Sequence, residues 1–517
     1  MIMNKNIINI LFFLISFLLI FNNFYIVFPF NIFAGYLADK LVFYPVFIGI
    51  IYTFYCQYKF KNIFVNVDVF KKFFICIFWV ISFSLILGLY NYPYYDLILN
   101  NLSTQNPKLI TIINFLNDFN IFIEEKLGLI IWMIIRAFKG ILLEFLYTFV
   151  MSYLIYCWYH NNWRKAFEIL IKALLVSAFV VILYSTFEIF YFTGAEWAKD
   201  ILIIITPYFH AIDIPGTAYG NWPPLLPPGI QLRSIFAEPS YFGIYSSFLL
   251  PFIWYNISNN NNKNKIVYIL ILFSLCFCLF LTQSRTAMGL LIGEIILFFI
   301  LTIYSNNFCI FKNFIIVSFV ILLSFLLSNT FINNCVDEKL NKSINITSSE
   351  YIDRNFLSLM SEDRRSNSAR YAYIKAAFRI GKDNKLFGVG PGLTSPYITD
   401  YFTENERNVF EVKLRIKKQR EEGIFVAHMP ILCEYIKKFA EIGVLGIIIY
   451  FMPLIYLIAK LCNKIKQKQE YIFFFISLLG IMASGISHDF LGSCYYWVLL
   501  GLGYAMCFGK ENKEQDI

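Results

Sequence analysis

The sequence predicts an all-α polytopic membrane protein, on three observations. Apolar runs near the length of a bilayer crossing recur along the chain. Charged residues make up only 15% of it, against 58% hydrophobic. The lysines gather in alternate connecting segments. A soluble domain rarely carries so little charge, so the surplus apolar surface is expected to face lipid.

A hydrocarbon core takes about 20 apolar residues per helix, and on that criterion about twelve spans are expected. They fall near residues 7–30, 41–58, 73–90, 141–158, 169–191 and 240–255, then 266–283, 286–304, 313–329, 443–459, 471–488 and 493–508. The first run follows Lys5, is too long for a signal-peptide core and is followed by no small-residue cleavage site, so it reads as a retained helix.

Orientation follows from the short loops. With the N-terminus in the cytoplasm, the inner segments carry Lys59 to Lys72, Arg164 with Lys165, Lys263 with Lys265, Lys312, and Lys460 to Lys468. Every one is basic, as the positive-inside rule requires, so both termini are expected to be cytoplasmic. This distribution also accounts for the net charge of +9, and nucleic acid is not an expected partner.

Three outer segments are long. Residues 91–140 hold an amphipathic-looking stretch, Phe115 to Ile123; Thr193 to Leu232 includes the proline-stiffened run Asn221 to Gly229. Thr330 to Ile431 is the largest polar stretch. The chain thus divides into residues 1–329 with nine spans, an extracytoplasmic loop at 330–431, and residues 432–517 with three spans and a cytoplasmic tail. A loop this long is expected to form short helices of its own. Ser368 to Ile380 has helical spacing, with Tyr371, Ile374 and Phe378 on one face and Arg370 and Arg379 on another.

The 11 cysteines are scattered through apolar runs, and the close pair Cys276 and Cys278 reads as buried thiols. No metal or nucleotide motif is present, so no metal and no cofactor is expected. Arg233, Arg285 and His428 all fall on the outer face. Polar chemistry gathered on one face of an apolar protein suggests an anionic, lipid-linked substrate.

Four segments carry a resemblance. The first is Arg233-Ser234-Ile235-Phe236-Ala237-Glu238-Pro239-Ser240-Tyr241-Phe242-Gly243, and the second is Thr282-Gln283-Ser284-Arg285-Thr286-Ala287. The third runs from Ser368-Ala369-Arg370-Tyr371 to Leu386-Phe387-Gly388-Val389-Gly390-Pro391-Gly392. The fourth is His428 followed by Ala440-Glu441-Ile442-Gly443-Val444-Leu445-Gly446. In this order, around one large loop, they resemble the O-antigen polymerase and O-antigen ligase superfamily over roughly residues 130–510. The chain departs from the pattern at Met429, where the family often has Asn, and in the long separation of His428 from Glu441.

The resemblance implies a helical, GT-C-like fold and a metal-independent glycosyltransferase acting on undecaprenyl-diphosphate-linked sugars at the outer face of the cytoplasmic membrane. A polymerase passes the growing glycan to an incoming lipid-linked repeat unit; a ligase passes it to a lipid A core. The Glu238-Pro239-Ser240 form favours the polymerase. A chain-length regulator is a further candidate partner. A flippase would instead place charges along a central path through many spans and show internal repeats, neither of which is evident.

Leaving-group charge on a diphosphate calls for fixed guanidinium groups, which makes Arg233 and Arg285 the candidate clamp. A lone Arg at a helix end is otherwise a snorkelling anchor, and the motif context decides against that here. Arg370 is either a second diphosphate or glycan contact or a solvated loop charge. An acceptor hydroxyl needs a base, for which His428 leads and Glu238 follows; Glu238 is alternatively a cap for the helix starting at Pro239. Asp489, beside His488 at the outer end of the eleventh span, joins the site or simply marks the interface. Glu144 and Glu294 lie within spans, where a carboxylate needs a partner, with Arg136 or Lys139 as candidates.

Overall fold

The computed structural model describes residues 4–21, 40–60, 68–209, 231–259, 264–340, 365–425, 427–489 and 492–509. These residues are mostly helical, with no strand among them. Apolar backbone in lipid must satisfy its own hydrogen bonds, and the helix does so within one segment. The N-terminal half runs α1 (Lys5–Leu18), α2 (Phe43–Phe60), α3 (Asp68–Tyr90), the short α4 (Tyr95–Asn100) and α5 (Leu102–Gln105), then α6 (Pro107–Asp118) and α7 (Glu125–Phe145). A π-turn at Leu146–Val150 leads into α8 (Met151–Tyr159), then α9 (Trp163–Phe192), α10 (Glu196–Ile205), α11 (Pro239–Ser258), α12 (Lys265–Leu281), α13 (Arg285–Ser305) and α14 (Phe308–Leu340). The lobe helices are α15 (Arg365–Asp383), α16 (Thr394–Tyr401), α17 (Glu404–Arg407) and α18 (Phe410–Glu422), followed by α19 (Glu434–Cys462), α20 (Gln469–Ser484) and α21 (Cys494–Phe508).

Among the described residues, five segments are long and apolar enough to cross a membrane: Lys72–Tyr90, Trp163–Phe192, Arg285–Ser305, Phe308–Cys335 and Glu434–Cys462. Shorter apolar helices accompany them at Lys5–Leu18, Lys265–Leu281, Gln469–Ser484 and Cys494–Phe508. The bundle core is aromatic, with Trp254 stacked on Phe298 at 5.3 Å and Phe248 against Tyr495 at 5.0 Å. Helix α11 packs on α13 and α20, α12 on α14, and α19 on α3. Every aromatic pair of this kind adds directional ring contact to simple area burial.

Several boundaries differ from the sequence reading. Within the expected span at 7–30 the helix ends at Leu18, and residues 22–39 lie outside the described ones. The expected span at 141–158 is the end of a longer helical run that starts at Glu125 and passes through the π-turn. Helix α14 continues to Leu340, into the segment read as loop. The stretch Phe115 to Ile123 is not one helix, because α6 stops at Asp118 and Asn120 turns the chain with φ 57°. Asn221 to Gly229 and the side chain of Glu144 lie outside the described residues.

Residues 365–431 form a helical lobe with its own core of Ala369, Ala372, Tyr373, Ala376, Ala377, Ile380, Ile398, Val412 and Met429. The buried face of α15 is therefore the alanine face; Phe378 is exposed. Close approach to α19 selects small residues there, since a Cβ on Gly381 would collide with the Phe439 ring. A second cluster, including Leu89, Ile98, Leu109, Met133, Leu393 and Ile424, ties the lobe to α3 through α7.

The glycine run after α15 clasps a break in α19. Val389 N–H donates to the Ala440 carbonyl and Gly390 N–H to the Glu441 carbonyl, both at 2.9 Å, while Val444 N–H donates to Lys385 at 2.8 Å. The break is at Gly443, with φ 67° and ψ −170°. Gly388 has φ 66° and sits directly on the Ala440–Glu441 backbone. Only glycine takes these angles at such close backbone approach without strain. Ser84 of α3 completes the clasp by donating to the carbonyls of Phe387 and Glu441.

Candidate functional site

Six elements present chemistry at one end of the bundle. These are the N-terminal ends of α11, α13 and α19 and the C-terminal ends of α9, α12 and α20, which alternate in chain direction.

Arg285 owes its place to a tight turn. Gln283 is left-handed (φ 48°), Thr282 Oγ1 accepts from Ser284 N–H at 3.1 Å, and Ser284 caps α13 by accepting from Ala287 N–H at 3.4 Å. Arg285 is then the first helical residue, half-buried, and its Nη1 donates to Asn367 Oδ1 at 2.7 Å. Asn367, from the first turn of α15, is buried. A cation is the wrong sign for a helix N-terminus, so guanidinium and helix end together favour an anion.

Arg233 lies in a second turn, secured by a residue the sequence reading passed over. Glu188, buried near the end of α9, accepts from Arg233 N–H at 3.1 Å and Ser234 N–H at 2.7 Å. Ser234 is left-handed (φ 55°) and donates from Oγ to the Val181 carbonyl at 3.0 Å. The Arg233 guanidinium itself is within electrostatic reach of Glu188. The signal that drew notice to Glu294, a carboxylate in an apolar run, applies to Glu188 as well.

Glu238 stands at the N-cap of α11, with Pro239 as the first helical residue, but its carboxylate caps no helix N–H. Instead its Oε2 accepts from Ser240 Oγ at 3.2 Å, and Ser240 Oγ lies 3.0 Å from His488 Nε2. His488 Nδ1 is 3.0 Å from Ser487 Oγ, and its ring meets Tyr241 edge-on at 5.4 Å. One consistent assignment has Ser487 donating to Nδ1, Nε2–H to Ser240, and Ser240 to Glu238. Burial, helped by the Arg370 charge, pushes the His488 pKa down to about 4, so the ring is neutral. Arg370, half-buried on α15, thereby joins this group.

His428 follows the lobe helices. Its neighbour Met429 is fully buried and donates its N–H to Ser395 Oγ at 2.9 Å, which anchors the strand-like segment and leaves His428 outward. That gives the departure from Asn at this position a structural role. His428 feels Lys437, Glu441, Arg136 and Arg415; burial and then the Lys437 charge hold its pKa below the ordinary histidine value. The long separation from Glu441 is taken up by the first turns of α19 before the Gly443 break.

Those turns carry charges absent from the sequence reading. Lys437 Nζ is 3.3 Å from Asp489 Oδ2, and Asp489 Oδ1 accepts from Gly492 N–H at 2.7 Å. Burial raises the Asp489 pKa, and the Lys437 charge with the accepted hydrogen bonds outweighs it, leaving the carboxyl below its usual range. Lys438 sits between Glu441 at 3.3 Å and Glu434 at 3.9 Å, over the Tyr450 ring. Glu441 Oε1 also accepts from Gly392 N–H at 3.4 Å, so this glutamate joins the glycine run to the charge cluster. His488 and Asp489 are adjacent, so the Glu238–Ser240–His488 chain and the His428–Lys437–Asp489 group meet there.

Glu294 is not tied to Arg136 or Lys139. It is buried beside Gly480 and accepts from Ser247, whereas Arg136 stacks between Trp132 (5.2 Å) and Phe425 (5.0 Å). A carboxyl deep in an apolar bundle takes the nearest hydroxyl when no cation reaches it. Among the described residues no group of three or more His, Cys, Asp or Glu side chains is placed to hold a metal ion.

These features define an integral membrane protein, helical where described, with cations, two histidines and carboxylates collected at one end of its apolar helices. Residues 269–451 match the family model described as O-Antigen ligase, which supports the O-antigen polymerase and ligase superfamily. The matched span holds Arg285, Arg370, the glycine run, His428 and Glu441, and leaves Arg233, Glu238 and Asp489 outside. No curated protein and no solved structure matches the chain.

Proposed function

We propose that the protein is a polysaccharide polymerase that moves a growing glycan from undecaprenyl diphosphate to an incoming lipid-linked repeat unit, at the outer face of the cytoplasmic membrane. The observation that carries this reading is the Arg285–Asn367 contact, which joins a helix end of the bundle to the lobe that also supplies Arg370 and His428. In this reading the acceptor hydroxyl attacks the anomeric carbon, and the bond from that carbon to the diphosphate oxygen breaks. The diphosphate leaves with the bonding electron pair, met by Arg233, Arg285 and Arg370. The acceptor proton passes to the His428 imidazole, with Glu238 as the alternative acceptor. Burial and then the Lys437 charge lower the His428 pKa, and the same lysine pairs with the Asp489 carboxylate. The guanidinium groups do the work that a divalent cation would otherwise do, so the reaction is metal-independent.

The family description favours a second reading, a ligase with lipid A core as acceptor. A gel profile of surface and lipid-linked glycans from cells with and without the gene separates the two. Loss of long chains with a surviving single-repeat species identifies the polymerase, and long chains stranded on the carrier identify the ligase. An unchanged profile overturns both and returns the flippase. His428→Ala slows transfer without preventing donor binding; unchanged turnover would move the proton to Glu238.

A further inference from the structure

The lobe holds a second basic region on another face of α18. Helical spacing sends Arg415 toward the His428 side, while Phe410, Lys413, Leu414 and Lys417, at i, i+3, i+4 and i+7, share a different stripe. Beside that stripe is an open groove of about 570 Å³, walled by α18 and by the segment containing Thr399, Arg407 and Asn408. Arg407, Lys413, Lys417 and Arg420 line it, and none of its described lining residues is acidic. Phe410 and Leu414 are 58% and 45% exposed, giving the groove an apolar wall.

The far wall is preformed. Arg407 is oriented by the carbonyls of Thr399 (3.0 Å) and Phe402 (3.3 Å). Thr403 and Glu406 form a capping box, and Arg379 binds both oxygens of Glu406 at 2.7 and 2.8 Å. A rigid wall of this kind loses little entropy when a ligand settles on it. The volume is that of a small-ligand site, room for about three sugar rings, and is too small for a protein interface. Apolar side chains suit the C–H faces of sugar rings, Asn408 suits their hydroxyls, and Arg407, Lys413 and Arg420, beside a Lys417 already paired with Glu421 at 3.6 Å, call for anionic substituents.

We propose that this groove binds a segment of an acidic glycan, one bearing carboxylate or phosphate groups, and that the glycan handled by this protein is therefore acidic. The inference rests on the glycan-transfer reading above and names its substrate class. The full-length protein in phosphatidylcholine nanodiscs is titrated with oligogalacturonate and with neutral maltodextrin of matching length. Oligogalacturonate binds, weakens as salt rises, and loses about tenfold in affinity in K413E/R420E; maltodextrin binds more weakly, and K418E, outside the groove, is unchanged. Equal affinity for both sugars, no binding, or an affinity indifferent to K413E/R420E overturns the proposal. Retention on anionic vesicles that K413E/R420E abolishes, with no oligosaccharide binding, assigns the surface to lipid and also overturns it. Failure of the transfer reading shows separately, as an unchanged glycan gel profile in cells, since the titration needs no turnover.

Discussion

A guanidinium on the first residue of α13 opposes the helix dipole, and the hydrogen bond to Asn367 fixes it there. Stability alone would not choose this arrangement; an anionic ligand would. Arg285→Ala and Arg233→Ala are each expected to cut chain growth by roughly 10²–10³-fold while membrane levels stay normal. Polymer retained in both variants would remove the diphosphate clamp. His488 gives a prediction about stability. Its folded pKa is about 4, below the ordinary 6.5, with Arg370 from α15 and the Ser240–Glu238 pair from α11 facing it. The unfolded chain therefore takes up a proton first as pH falls. The stabilisation is fully present above pH 6.5 and is lost on going down toward pH 4, by about 3 kcal/mol at most. Thermal unfolding of the detergent-solubilised protein should show that loss, and His488→Gln should flatten it. An equal slope in the variant would mean that other groups set the acid response.

At the level of elements, the glycine run and the α19 break are one device. Sequence alone placed Gly388, Gly390 and Gly392 in one motif and Glu441 in another. The fold joins them, because Glu441 supplies a carbonyl to Gly390 and a carboxylate oxygen to Gly392. Gly443→Ala places a Cβ against the Leu386 carbonyl at a positive φ and should cost about 1–3 kcal/mol or more. A drop in the thermal midpoint, with transfer lost in proportion to folded protein, is the expected result; a midpoint like that of the wild type would show that the clasp is not strained. The α15 helix was legible from its spacing, but its buried face was not. The pattern offered Tyr371, Ile374 and Phe378, whereas packing against α19 selected the small residues Ala369, Ala372 and Ala376, since close helix approach rewards small volume over hydrophobicity.

Over the whole molecule, the alternating helix ends put the candidate site at one end of the bundle, and the positive-inside rule predicts that this end faces outward. In a cysteine-free background, Glu404→Cys should react with an impermeant maleimide in intact cells, while Lys466→Cys should react only after the membrane is opened. The reverse pattern would invert the orientation and remove the outer-face site. By itself the sequence determined the all-helical class, the positions of most apolar helices, and the arginines and histidine worth testing, because hydropathy, charge bias and short motifs act locally along the chain. Tertiary structure alone decided the partners: Glu188 under the Arg233 turn, Asn367 on Arg285, Ser240 and His488 behind Glu238, and Lys437 on Asp489. Apart from the neighbouring Ser240 and Glu238, those contacts join residues from 45 to 248 positions apart, and the reason they were hidden is physical. A charge in an apolar bundle is satisfied by whichever group folding brings within hydrogen-bond distance, and no local pattern records which group that is.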